Sequence, residues 1–512
     1  MCRRFRRSFE AVLAFLMLIA TVRGASAAVT PAAHAAAYLE RIRSDRPLLM
    51  HFLERMPKGA DLHHHLTGAV YAESYIRYAV EDGDCIDGTT FAIVAPPCVP
   101  AEGRYPASRA LSDFAFRSRT IDALSARDFT PSPADPDIRL HFFAAFDKFD
   151  LVTNGHWGEM LAEVVARAAA QNEVYLETML TPDQGAAMHL AQTVEWSDDF
   201  SELRRRLLAA GMATAVAAGR RNLDAGESAM RAILGCGTAH PDPGCRLTLR
   251  FQYQVLRAFP KTSVFAQMLA GFEMASVDSR VVAINLVQSQ DEYNALNDFG
   301  LQLRMLDYLH GIYPRVHISL HAGELTPGEV PPEELRASHI RASIELGHAE
   351  RIGHGLDVVY ERDAPGLLAE MARRHVLVED CLYSHELVRG MRGRDNVLPI
   401  YLRAGVPVAL ATDDEGVTRA DLTTSFVRAI EGYGIGYVRL KTMVRDSLDH
   451  AFMPGASLWQ APENFVRVPA CARDALRDVP ASRACRSFLA ANERARTEWR
   501  EEVAFARFES AL

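Results

Sequence analysis

The chain has 512 residues, of which 49% are hydrophobic and 24% charged, with a formal net charge of −9. Those proportions exclude a disordered or fibrous chain, and the acidic balance gives no pull toward nucleic acid or anionic membrane. The length accommodates either several average domains or one large barrel with insertions.

In chain order, the first signal is a positive head of Arg3, Arg4, Arg6 and Arg7, an apolar run over 11–22, and the small residues Ala25, Ser26 and Ala27. This is the order of a secretory signal peptide, assigned to residues 1–27. The apolar run falls short of the roughly 20 residues that a membrane span needs, so cleavage is expected rather than anchoring. The protein is therefore expected to be exported, periplasmic or extracellular, with no stable membrane association once the signal is removed. A helical extension is expected over 28–55.

Eight short apolar runs follow, at 58–66, 174–180, 249–256, 281–288, 316–321, 351–354, 376–381 and 406–412. Amphipathic stretches such as 160–170, 293–309 and 365–374 lie between them. Continuous apolar strands alternating with helices indicate a parallel sheet. Eight of them indicate an α/β fold of the (β/α)8 TIM-barrel type, over 56–460. A Pro-, Gly- and Asp-rich segment at about 81–136 interrupts the rhythm and reads as an insertion after the first strand, on the side where barrel active sites lie. Residues 461–512 read as a C-terminal extension packed on the barrel.

Six cysteines fall into close pairs, Cys85 with Cys98, Cys236 with Cys245, and Cys471 with Cys485. In an oxidising compartment such pairs are expected to staple surface loops. Cys381 stands alone in an apolar run and reads as a buried thiol.

The chemistry concentrates at strand ends. His63, His64 and His65 close the first strand, His321 the fifth and His354 the sixth, and Asp413 with Asp414 the eighth. Parallel barrel strands converge on one mouth, and residues two apart on a strand face the same way, so His63 and His65 face inward together. With His321 and Asp413 they make a three-nitrogen, one-oxygen set that suits zinc and leaves a position for water. Glu324, three residues after His321, is placed beside such an ion for proton transfer. His64, His317 and His348 read as hydrogen-bonded structural histidines.

The runs Met56-Pro57-Lys58 into Leu62-His63-His64-His65-Leu66-Thr67-Gly68, His321-Ala322-Gly323-Glu324, Arg351-Ile352-Gly353-His354-Gly355 and Thr412-Asp413-Asp414 resemble, in order and spacing, the four signatures of the adenosine deaminase family. That family belongs to the metal-dependent amidohydrolase barrels, and the signal peptide is similar to that of its extracellular branch. The resemblance implies one zinc per chain on His63, His65, His321 and Asp413, and hydrolytic deamination at C6 of a purine nucleoside, adenosine or 2′-deoxyadenosine. It implies that His354 orients the attacking water, Glu324 protonates N1 and Asp414 meets N7. Asp414, Gly323, Thr67, Phe142 and Phe146 are then substrate contacts, the two phenylalanines from a run, 140–149, that resembles the family's aromatic lid and reads equally as helix core. The sequence departs from the family at Thr67, where an acid is usual, at Gln288, where a glycine is usual, and over Glu379 to His385. Those departures bear on ribose and purine recognition, so another aminated purine is the alternative substrate. A secreted nucleoside-binding protein without catalysis is the alternative from outside the enzymes.

Overall fold

The computed structural model describes residues 30–133 and 135–512, so the signal peptide assigned to 1–27 lies outside the described residues. Among the described residues no helix is long and apolar enough to cross a membrane. Eight strands form one sheet: β1 (Gly59–His65), β2 (Glu173–Leu180), β3 (Thr248–Leu256), β4 (Val281–Val287), β5 (His317–Ala322), β6 (Arg351–His354), β7 (Leu377–Asp380) and β8 (Val408–Leu410). They are parallel and adjacent in chain order. Helices cover the outer face and side chains fill the inner one, which is why strands such as β4, Val-Val-Ala-Ile-Asn-Leu-Val, are buried along their whole length. The (β/α)8 barrel read from the sequence is the fold.

The sheet is joined into a barrel at the residues that matter for chemistry. His65 N–H donates to the Asp413 carbonyl at 3.1 Å, and Asp413 N–H donates to the His63 carbonyl at 2.9 Å. This pairing of the first strand with the chain just beyond the eighth fixes the ends of both against each other.

One helix departs from expectation. The stretch read as continuous over 293–309 is two helices, Tyr293–Asn297 and Phe299–Ile312, because Asp298 (φ −94°, ψ 6°) leaves helical geometry between them. Asp, which competes for backbone hydrogen bonds, favours such a cap position. The segment 81–136 contains a small antiparallel sheet of Cys85–Asp87, Ile93–Val94 and Arg104–Pro106, followed by the helix Phe114–Ala123. The three expected disulfides form, with Cα–Cα distances of 5.4, 5.5 and 4.6 Å, and Cys381 is a free, buried thiol. The C-terminal helix Glu493–Ser510 packs on the barrel end where β1 begins: Glu501 accepts from Gly59 N–H at 3.0 Å, and Phe508 meets Phe52 edge-on at 5.0 Å.

Candidate active site

At the opposite end, where the strands finish, the histidines and acids of the four sequence signatures come together. His65 Nε2 lies 3.2 Å from His321 Nε2 and 3.5 Å from Asp413 Oδ1, and His63 Nε2 lies 3.7 Å from the same carboxylate oxygen. Each inward atom is set by a partner behind the ring. Glu379 Oε2 takes His63 Nδ1 at 2.8 Å, and Asn285 Oδ1 accepts from His321 Nδ1 at 2.8 Å. A ring that donates from Nδ1 presents a lone pair at Nε2, the arrangement that metal-binding histidines use. His63 Nε2 is buried with no hydrogen-bond partner. Burial holds His65 at about 4, and burial together with the neighbouring imidazoles holds His321 well below the ordinary histidine value, so both rings are neutral. A buried, partnerless lone pair beside two neutral imidazoles and a carboxylate is a donor set that a divalent cation completes. Donor atoms of His63, His321, His354 and Asp413 all lie within 4.8 Å of one another, so His354 also reaches the edge of this cluster.

The backbone is bent to achieve this. His354 (φ 69°) and Asp413 (φ 65°) sit in the left-handed region, which costs a residue with a side chain about 1–3 kcal/mol. Two glycines make room. A Cβ at Gly353 would meet His63 Cε1 at 2.5 Å, and one at Gly68 would meet Asp414 Oδ1 at 1.6 Å. Burial, then the charge of Asp413, pushes the Asp414 carboxyl well above its usual range, and its Oδ1 has no partner. A carboxyl held in that way carries a proton and can donate it.

The cluster opens into a cavity of about 700 Å3. Thr67, Phe142, Phe146, Glu324, His354 and Asp414 line it, together with His65, His321 and Asp413. The 140–149 run is both things that its pattern allowed: Phe142 and Phe146 face the cavity, whereas Phe149 stacks on Tyr75 at 4.4 Å in the core. Gly323 is not among the residues that line the cavity, and a Cβ there would meet Asp357 Oδ1 at 2.4 Å, so the position is left to glycine. His64 turns away, its Nδ1 2.8 Å from the Thr178 hydroxyl, and His317 and His348 pair with Glu350 and Asp307. Among the described residues of 81–136 none lines the cavity, whose roof is the helix Ile138–Phe149.

A scan for known families matches the adenosine deaminase model over residues 151–458. The chain belongs to the adenosine deaminase family. Among curated proteins it is similar to aminodeoxyfutalosine deaminase of Streptomyces coelicolor, 31% identical over 27% of this chain and 33% of that protein. It is also similar to adenosine deaminase of Pectobacterium atrosepticum, 30% identical over 30% of this chain and 43% of the relative. The alignments thus span less than half of either relative. Two solved structures show the fold. A Burkholderia ambifaria amidohydrolase with bound zinc aligns over 90% of this chain and 95% of its own at a TM-score of 0.53 and 17% identity. An Arabidopsis protein complexed with IMP aligns over 78% and 93%, at 0.51 and 20%. The family is one of metal-dependent hydrolytic deaminases.

Around this site stand several groups to which the sequence alone assigns no role. Arg389 is buried and pairs with Glu324 Oε1 at 2.7 Å and Glu329 Oε1 at 2.5 Å. Glu329 also faces Arg139 at 3.5 Å, in the first turn of the roofing helix, and Arg139 pairs with Asp291 at 2.7 Å. The carboxylate proposed to move protons is thereby tied to the roof. Behind His63, Glu379 pairs with Arg351 at 2.7 Å, and Arg351 pairs with Glu177 at 2.6 Å, all three fully buried. Charged residues inside otherwise apolar strands were the available signal for this ladder, since buried charges are paired. His354 Nδ1 meets His385 Nε2 at 3.0 Å, and His385 Nδ1 lies 3.3 Å from Asp380, a relay within the segment that departs from the family pattern.

Proposed function

We propose that this protein is an exported, zinc-dependent deaminase that hydrolyses adenosine and 2′-deoxyadenosine to the corresponding inosines and ammonia. One zinc would be held by His63, His65, His321 and Asp413. The observation that carries the reading is that His65, His321, Asp413, Glu324, His354 and Asp414 all open on a single cavity, with the partnerless His63 Nε2 3.7 Å from Asp413 beneath them. Zinc, when bound, supplies a Lewis acid that makes water nucleophilic near neutral pH. The chain's own residues do the rest. Burial and the surrounding imidazoles hold His354 well below the ordinary histidine value, so its neutral ring orients the attacking water and accepts a hydrogen bond from it. Glu324, with Oε1 3.8 Å from His354 Nε2, shuttles the proton to purine N1, so that negative charge does not build on the ring as C6 becomes tetrahedral. Asp414 donates its proton as a hydrogen bond to N7. Phe142 and Phe146 cover the base and exclude water.

The cavity also bears on the other end of the substrate. Among the described residues no lysine or arginine lines it, whereas Asp147, Asp150 and Glu292 do, and these three have no ion-pair partner there. A 5′-phosphate brings like charge to such a wall, at a cost of several kcal/mol. The similar Arabidopsis structure is a complex with IMP, a nucleotide, so the distinction is a real one for this fold. Adenosine and 2′-deoxyadenosine are expected to be deaminated, with kcat/KM for AMP at least about a hundredfold lower. Assay of the three substrates side by side decides it. Comparable turnover of AMP would contradict the nucleoside reading, and turnover of another aminopurine with none of adenosine would favour the alternative substrate, for which the cavity has room.

A further inference from the structure

A second cavity, of about 580 Å3, lies at the other end of the barrel, where β5, β6 and β7 begin. Its wall is rich in hydrogen-bond donors, with four arginines against two acids. Arg315 is exposed and makes no ion pair or hydrogen bond from its guanidinium among the described residues. Arg494 spends Nη2 on the Ala451 and Met453 carbonyls, but its Nε is buried without a partner. The rings of His310 and His375 have no hydrogen-bond partner, and His317 uses only Nδ1. Two acids are also present: Glu350 takes His317 Nδ1 and Asp449 accepts from the Ser457 hydroxyl, each at 2.8 Å and each through one oxygen. The floor is apolar, with the Arg351 guanidinium 3.9 Å over the Phe452 ring and that ring stacked on His317 at 4.4 Å. In a chain of net charge −9, a cavity wall with four arginines, one of them wholly unpartnered, is not the average surface.

We propose that this cavity is a binding site for a phosphoryl group, either free phosphate or the head of a small phosphate ester. Arg315 supplies charge-assisted donors, Arg494 adds a second positive charge to the wall, and the partnerless rings of His310 and His375 can each turn an N–H toward the anion. The volume exceeds that of a bare phosphate and leaves room for a sugar-sized remainder against Phe452. The site does not depend on which purine the catalytic cavity takes. It is also two contacts from the chemistry, through Arg351 and Glu379 to His63.

Titration calorimetry of the mature protein with inorganic phosphate and, separately, ribose 5-phosphate tests this. Both are expected to bind at one site per chain, and the tighter of the two identifies the source of the phosphoryl group. Arg315→Gln is expected to weaken both by roughly tenfold or more, the loss of one charge-assisted hydrogen bond, and Arg315→Lys to recover part of it. Arg315 is solvent-exposed and outside the catalytic machinery, so basal deamination should be unchanged in either variant. Absence of binding would overturn the proposal. So would binding indifferent to Arg315→Gln, or binding that competes with the nucleoside, since either places the phosphate elsewhere.

Discussion

Replacing Glu324 with glutamine is expected to lower kcat on adenosine by about a thousandfold while the protein keeps its zinc and its fold. The carboxylate is a proton shuttle in the proposed reaction, and such groups contribute about 10²–10⁴-fold. It is not among the atoms grouped around the proposed metal position, and its neighbours are Arg389 at 2.7 Å and His354 at 3.8 Å. Glutamine is nearly isosteric and can still accept from Arg389, so the loss should fall on kcat and leave KM within a small factor. Steady-state kinetics with metal analysis of the same sample measures this. A fall in zinc content parallel to the fall in rate would show that Glu324 supports the metal instead. Retained activity would remove the residue from the mechanism.

The second large effect concerns stability. Glu379→Ala is expected to destabilise the protein by about 3–5 kcal/mol, because it strands the buried Arg351 charge with one partner fewer. It should also weaken zinc binding by about 10–100-fold, because His63 loses the acceptor that fixes its ring. Burial pushes the Glu379 carboxyl up, but the Arg351 charge and the His63 hydrogen bond pull it below the ordinary value, so it is charged where it sits. Glu379→Gln separates the two consequences. It keeps an acceptor for His63 Nδ1 and removes the charge opposite Arg351, so its metal affinity should fall less than its stability. Denaturant unfolding of the metal-free forms reads the first quantity and zinc titration the second. An alanine variant as stable as the parent would mean that Arg351 is sufficiently served by Glu177 alone.

The barrel was legible in the sequence because its strands are buried on both faces, which leaves uninterrupted apolar runs. The metal-type residues were legible because each ends such a run. Two histidines two apart on β1, one on β5 and an acid after β8 converge by the geometry of a parallel barrel, without any knowledge of contacts. The cysteine pairs were legible for the same local reason, since each spans a short polar loop. What supports the site from behind was not. Asn285, Glu379 and Arg389 act across strands or from helices remote in sequence, and their function is a contact rather than a pattern. The break at Asp298 was invisible because the apolar spacing continues across it.

The most direct test of the account is ultraviolet absorbance of adenosine mixed with the purified mature protein, before chelation, after metal removal, and after zinc is returned. A fall in the adenosine band is expected that stops when the metal is stripped and resumes with zinc. A protein that holds zinc and leaves adenosine unchanged, or one that deaminates equally well with the metal removed, would contradict it.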